Sequence, residues 1–277
     1  MKRILFTCLI LFTFFPQFTV LGQRLTRAQV YDTIKEMPSF SSYYDNYFIS
    51  GVPTNQAITK NNSDIKYQIS FKQLVTRATL PLNSYLFLTY SQKAFWNVYS
   101  LSSPFEEINF NPGVGLGKPV FNKDGYIFGL AELKFEHESN GRDSLESRSW
   151  NRITGAFHTP LGKRTILSLK AWVPIAYTEN HPDLLDYVGL GEIKVEQTIL
   201  ANRLIADITI RKGLDDWKGS VSSKIYYKLF NNSGNQYLIL EWFAGYAESL
   251  MDYNRYSSMV RLGYVIKSSD LDILKSK

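Results

Sequence analysis

Between Phe135 and Arg152 the chain reads FEHESNGRDSLESRSWNR, and His137, Ser139 and Asn151 within it are the residue types of a base, a nucleophile and an orienting amide. A serine hydroxyl attacks poorly until a neighbouring imidazole takes its proton, and the imidazole needs a third group to fix its tautomer. Residues i and i+2 of a strand point the same way, with Cα atoms about 7 Å apart. His137 and Ser139 can therefore meet if this segment is a strand. Asn151 can accept from the imidazole N–H through its amide oxygen, as in Cys-His-Asn proteases. An amide brings no negative charge, so another group must stabilise the transition state. A bound cation beside the oxyanion would serve. Ser, His and Asn often lie near one another, and the competing reading is a polar hairpin with a histidine at its edge.

The flanking elements bear on that choice. In YIFGLAELKFEHES one parity holds Ile127, Gly129, Ala131, Leu133, Phe135, His137 and Ser139, and the other holds Glu132, Lys134, Glu136 and Glu138. In SRSWNRITGAFH, Ser147, Ser149, Asn151, Ile153, Gly155 and Phe157 share one face, while Arg148, Trp150 and Arg152 share the other. Four alternate charges suit a wet lumen, which puts His137, Ser139 and Asn151 on the lipid side of a barrel wall. Polar residues there are costly and point to function. Period-two runs recur at DIKYQISFK, SYLFLTYSQKAFW, TILSLKAWVPI, GEIKVEQTIL, RLIADITIRK, SVSSKIYYKLF, QYLILEWFAGY and SSMVRLGYVIK, divided by turns such as NKDG and NNSGN. About ten to twelve strands follow, in one transmembrane antiparallel β-barrel covering 45–277, with 23–44 as an arm or short helix.

Composition permits this. Aromatics are 15% and charged residues 20% of 277 residues, and mean hydropathy is −0.18. That excludes a helical membrane bundle but not a barrel, in which only alternate strand residues meet lipid. Lys2 and Arg3, the apolar run Ile4–Phe15 and small residues near Gly22 have the layout of a signal peptide over 1–22. Its removal takes away the single cysteine, Cys8, and two positive charges, bringing the formal +6 to +4. With no basic block, no nucleic-acid partner is expected. With no cysteine left, neither disulfides nor thiol chemistry contribute.

The segment HESNGRDSLESRSWNR resembles the active-site signature of the bacterial outer-membrane phospholipase A family. YSQKAFWNVYSLSSPFEEINFNP, NHPDLLDYVG and GYAESLMDYN match other blocks of that family in order. The resemblance implies a twelve-stranded barrel with its active site on the outer, lipid-facing surface. By it Ser139 is the nucleophile, His137 the base and Asn151 the orienting residue. The oxyanion is stabilised by the Ser139 backbone N–H and by a calcium-bound water near Gly141. Calcium is held by the Arg142 carbonyl, the Ser147 hydroxyl and Ser102 of a second subunit, and Gln92 makes a hydrogen bond in the homodimer interface. Glu146, Asp143, Glu106 and Glu107, near these ligands in sequence, are candidates for outer-sphere charge. The implied activity is calcium-dependent hydrolysis of phospholipid and lysophospholipid acyl esters at sn-1 and sn-2 in the bacterial outer membrane.

Two other classes compete. A non-catalytic barrel, either channel or structural, would share the strands. A channel sits poorly with a lumen parity of Glu132, Lys134, Glu136, Arg148, Trp150, Arg152, Lys170 and Trp172. A soluble secreted esterase would extract without detergent.

Overall fold

Alternating apolar and polar residues give each strand one face for lipid and one for a wet interior, and a sheet so built has no dry edge until it closes. The computed structural model describes residues 25–177, 181–201 and 203–275. The expected signal segment lies outside them. The barrel strands are β2 (Asn46–Pro53), β3 (Asp64–Leu74), β4 (Tyr85–Trp96), β5 (Phe105–Phe121), β6 (Ile127–Ser139), β7 (Ser149–Pro160), β8 (Thr165–Ala176), β9 (Gly191–Leu200), β10 (Leu204–Lys212), β11 (Gly219–Tyr227), β12 (Gln236–Gly245) and β13 (Ser257–Ile266). Each pairs antiparallel with its sequence neighbours, and β13 pairs with β2, closing a twelve-stranded barrel. A two-residue strand, β1 (Phe40–Ser41), adds to the end of β3. No helix among the described residues is long and apolar enough to cross a membrane.

The outer wall is an apolar belt that includes Ile69, Leu88, Leu133, Phe135, Ile153, Val173, Ile210 and Leu262. The interior is ionic. Arg261, fully buried, bonds Asp64 at 2.7 Å and Glu248 at 2.6 Å, and Lys66 bonds Glu241 at 2.7 Å and Glu248 at 2.9 Å. Such charges persist in a low-dielectric interior only when paired. Around them lies a polar cavity of about 360 Å³, lined by residues such as Lys93, Asn111, Glu138, Lys170 and Arg211.

Apolar clusters plug toward both ends of the interior. At one end helix α1 (Arg27–Glu36) is capped by Thr26 and Gln29 bonding each other's backbone N–H. It buries Val30 and Ile34 against Leu74, Tyr85, Phe87, Ile127, Leu130 and the tail residues Ile273 and Leu274. The sequence leaves 23–44 as a helix or an arm; within it Arg27–Glu36 form a helix, whose Val30 and Ile34 have a plug to pack into. Glycines make room for that plug: a Cβ on Gly117 would stand 2.3 Å from the Tyr85 ring, and the two residues face each other across β4 and β5. At the other end Trp150, Trp172, Leu250 and Tyr253 pack with Leu184, Leu185 and Val188 of helix α2 (Leu184–Val188). The longer β8–β9 and β12–β13 connections leave strand ends at this second end, whereas the short β7–β8 and β9–β10 connections leave strand ends at the first. Long loops mark the extracellular side of outer-membrane barrels.

One expected face is corrected. Parity places Ile127 outward, but it is buried in the first plug, and Phe128 is the exposed residue. The register slips between Val120 and Phe121, which pair with Gly129 and Ile127, so Phe128 is an extra residue and the alternation reverses there.

Candidate functional site

Beyond that slip the alternation holds to the long-loop end. Glu132, Lys134 and Glu136 are buried toward the lumen, Leu133 and Phe135 are exposed, and His137 and Ser139 are half-buried at the end of the outer row. Register sets His137 opposite Asn151 and Ser139 opposite Ser149. His137 Nδ1 lies 2.9 Å from Asn151 Oδ1. An amide oxygen can only accept, so Nδ1 carries the proton and Nε2 is left free as a base. Ser139 Oγ has no hydrogen-bond partner among the described residues, so hydroxyl and ring are neighbours on one face without a direct bond. Catalytic hydrogen bonds commonly tighten only when substrate is present.

The lumen side holds this geometry from behind. Glu138, between His137 and Ser139, accepts from Arg152 Nη1 at 2.7 Å and from Trp150 Nε1 at 3.2 Å. Trp150 and Arg152 flank Asn151, so one carboxylate ties both strands at the level where the outward groups meet. Arg152 also lies over the Trp150 ring at 4.2 Å.

Gly141 follows with φ +66°, and a Cβ there would stand 2.8 Å from the Phe110 ring. Phe110 faces Ser139 across β5 and β6 and Gln92 across β4 and β5, so a band of residues runs around the outer wall from Gln92 to Ser139. Gln92 is not the lone amide that its position suggests, because Tyr90 Oη donates to its Oε1 at 2.9 Å. Its side-chain N–H groups have no partner among the described residues.

In the 140–148 loop, Arg142 reaches sideways, donating to Glu146 at 2.6 Å and to the Glu106 carbonyl at 2.5 Å. The Arg142 carbonyl and the Ser147 hydroxyl have no hydrogen-bond partner among the described residues, so both oxygens are open to a cation. Ser102, exposed in the 97–104 loop, has φ +64°, a left-handed conformation unusual for serine. Calcium takes hard oxygen donors, carbonyls and hydroxyls included, so the donor set fits that ion. Among the described residues no group of three or more His, Cys, Asp or Glu forms a rival metal site. Of the candidates for outer-sphere charge, Glu107 faces the lumen, where it accepts from Met251 N at 2.8 Å and from Asn109. Glu146 is neutralised by Arg142, and Asp143 accepts from Ser144 N.

The two other histidines lie apart. His158 is in the lumen, bonded to Ser168 at 2.7 Å. His181 is buried against Tyr253, and burial and the Arg148 charge hold its pKa below the ordinary value.

The fold is that of an outer-membrane-type β-barrel, with polar side chains ending the outward rows of β6 and β7. The phospholipase A1 family model matches residues 27–266, and the chain belongs to that family. Phospholipases A1 from Salmonella typhimurium and Escherichia coli K12 are each 28% identical, over 215 and 206 residues. The matches cover 76% and 73% of this chain and 72% and 69% of those proteins. Among solved structures, the calcium-bound dimer of the Salmonella typhi outer membrane phospholipase superposes with a TM-score of 0.76 at 24% identity. Escherichia coli outer membrane phospholipase A does so with the same score at 23%. Each covers 88% of this chain and 99% of its own. The expected architecture, compartment and enzyme class therefore hold.

Proposed function

We propose that this phospholipase is calcium-dependent, that it hydrolyses sn-1 and sn-2 acyl esters of phospholipids and lysophospholipids, and that it does so as a homodimer through Ser139, His137 and Asn151. The observation that carries the reading is the His137–Asn151 hydrogen bond beside Ser139 on the outer wall. A channel is disfavoured by the two plugs.

In this reading Nε2 of His137 takes the Ser139 proton as Oγ attacks the ester carbonyl. The imidazolium then returns that proton to the leaving alkoxide, releasing lysophospholipid and leaving an acyl-serine. Water enters, gives its proton to Nε2 and attacks the acyl carbon; Ser139 recovers the proton as the fatty acid departs. Asn151 holds the ring through both steps, and its amide oxygen accepts from Nδ1–H throughout. The Ser139 backbone N–H and the turn at Gly141 face the developing oxyanion.

The Arg142 carbonyl and the Ser147 hydroxyl would hold calcium, with Ser102 from a second copy. When bound, the ion supplies positive charge that the neutral Asn151 does not. Gln92, placed outward with free N–H groups, would bond its counterpart across the dimer.

The test is a phospholipase assay in detergent, with and without calcium, on wild type and Ser139→Ala. Ser139→Ala is expected to abolish hydrolysis and keep the heat-modifiable mobility of a folded barrel. Hydrolysis surviving in that variant would overturn the triad, and hydrolysis indifferent to chelation would overturn the metal.

A further inference from the structure

Asn140, directly after the candidate nucleophile, is 5% exposed, and its side chain makes every bond it makes within the loop that follows. Its Oδ1 accepts from Arg148 N at 2.9 Å and from Arg142 N at 3.3 Å, and its Nδ2 donates to the Glu146 carbonyl at 2.8 Å. Its backbone N–H donates to the Arg148 carbonyl at 3.0 Å. The Glu146 carbonyl and the Arg148 N–H belong to the two peptides on either side of Ser147. The third partner, Arg142 N–H, belongs to the residue whose carbonyl is the other proposed ligand. One buried amide thus holds the backbone beside both proposed calcium donors of this chain, and it spans the turn at Gly141 between itself and Arg142.

We infer that Asn140 is the positioning residue for the cation site: its carboxamide holds the Arg142 carbonyl and the Ser147 hydroxyl in place and touches neither substrate nor ion. This rests on the calcium ligands proposed above. The chemistry calls for an amide. A carboxylate could accept both N–H groups but could not donate to Glu146, and an amine or hydroxyl could not bridge all three points. Arg142 adds an outer strap to Glu146 and the Glu106 carbonyl, but that strap is exposed and screened by solvent. The inner strap is dry, where a hydrogen bond holds geometry more firmly.

The test is calcium binding by titration calorimetry on the detergent-solubilised full chain in a Ser139→Ala background, so that no lipid is consumed. Asn140→Ala removes the three hydrogen bonds of the inner strap. It is expected to weaken calcium binding by about tenfold or more, at about 1.4 kcal/mol per tenfold. In the otherwise wild-type enzyme, raising calcium should restore kcat to Asn140→Ala, which a merely misfolded loop would not allow. Ser147→Ala is the control for the parent reading. If Ser147→Ala weakens binding and Asn140→Ala does not, the positioning role is wrong while the ligand assignment stands. If neither variant changes binding, the ligand assignment fails and this inference falls with it. Should Asn140→Ala not fold, Asn140→Gln keeps the amide one methylene out of place, and unchanged calcium affinity there would overturn the inference equally.

Discussion

Replacing Asn151 with alanine tests how much an uncharged orienting group contributes. The substitution removes one acceptor, 2.9 Å from His137 Nδ1. It leaves the strand in place, because Trp150 and Arg152 remain tied to Glu138 on the lumen face. The bond is neutral in the resting enzyme and becomes charge-assisted as the ring takes the serine proton, where such a bond contributes about 1.5–3 kcal/mol. At about 1.4 kcal/mol per tenfold in rate, kcat should fall about ten- to 150-fold. That is well short of the roughly 10⁴-fold loss when a charged triad carboxylate is neutralised. The assay is fatty-acid release from mixed micelles at saturating calcium, run beside wild type and Ser139→Ala. Activity within about twofold of wild type would refute the orienting role. A loss as deep as that of Ser139→Ala, in a barrel with wild-type electrophoretic mobility, would show that Asn151 does more than orient the ring.

Gly141→Ala places a methyl 2.8 Å from Phe110 at φ +66°; with about 1–2 kcal/mol of left-handed strain added, kcat should fall by about tenfold. Calorimetry of the same variant in a Ser139→Ala background would separate a calcium defect from an oxyanion defect. Arg261→Met leaves Asp64, Glu241 and Glu248 facing one another with Lys66 and Lys224 to offset them, and breaking a buried pair in this way costs about 3–5 kcal/mol. The denaturant midpoint in detergent should drop clearly, and an unchanged midpoint would mean that the interior is wet enough to screen the charges. Burial and the Arg148 charge lower the pKa of His181 in the fold. The unfolded loop binds the proton more readily, so the long-loop cap should lose stability as pH falls below the unfolded value of about 6.5. Limited proteolysis at the 177–190 connection should speed up in acid, and His181→Phe should flatten that dependence.

Much of the site could be read from period-two alternation, because strand parity needs no knowledge of the partner strands. Glu132 to Glu138 set the lumen face, and His137, Ser139 and Asn151 followed onto the other. Parity failed where the count of residues changes: the extra residue at Phe128 sends Ile127 inward, and nothing in YIFGLA announces it. It also gave no hint of pairings between distant segments. The burial of α1 and of Ile273 and Leu274 depends on a plug that strands β3, β4, β5, β6 and β8 all enter. Glu107 lay near the proposed ligands in sequence, yet alternation within β5 turns it into the lumen, toward Met251. Asn140 was visible as part of SNGR, but its three bonds depend on how the 140–148 loop folds back.

The plugs at the two mouths have a consequence for traffic. Trp150, Trp172 and Leu250 pack together toward one mouth and Val30, Ile34 and Leu274 toward the other, so the interior is not laid out as a path for reactant or product. On the proposed assignment, lipid would reach His137 and Ser139 sideways, by lateral diffusion within one leaflet. The relevant concentration is then a surface density, the number of molecules per area of leaflet beside the wall. Control of such an enzyme lies in which lipids are allowed to stand there.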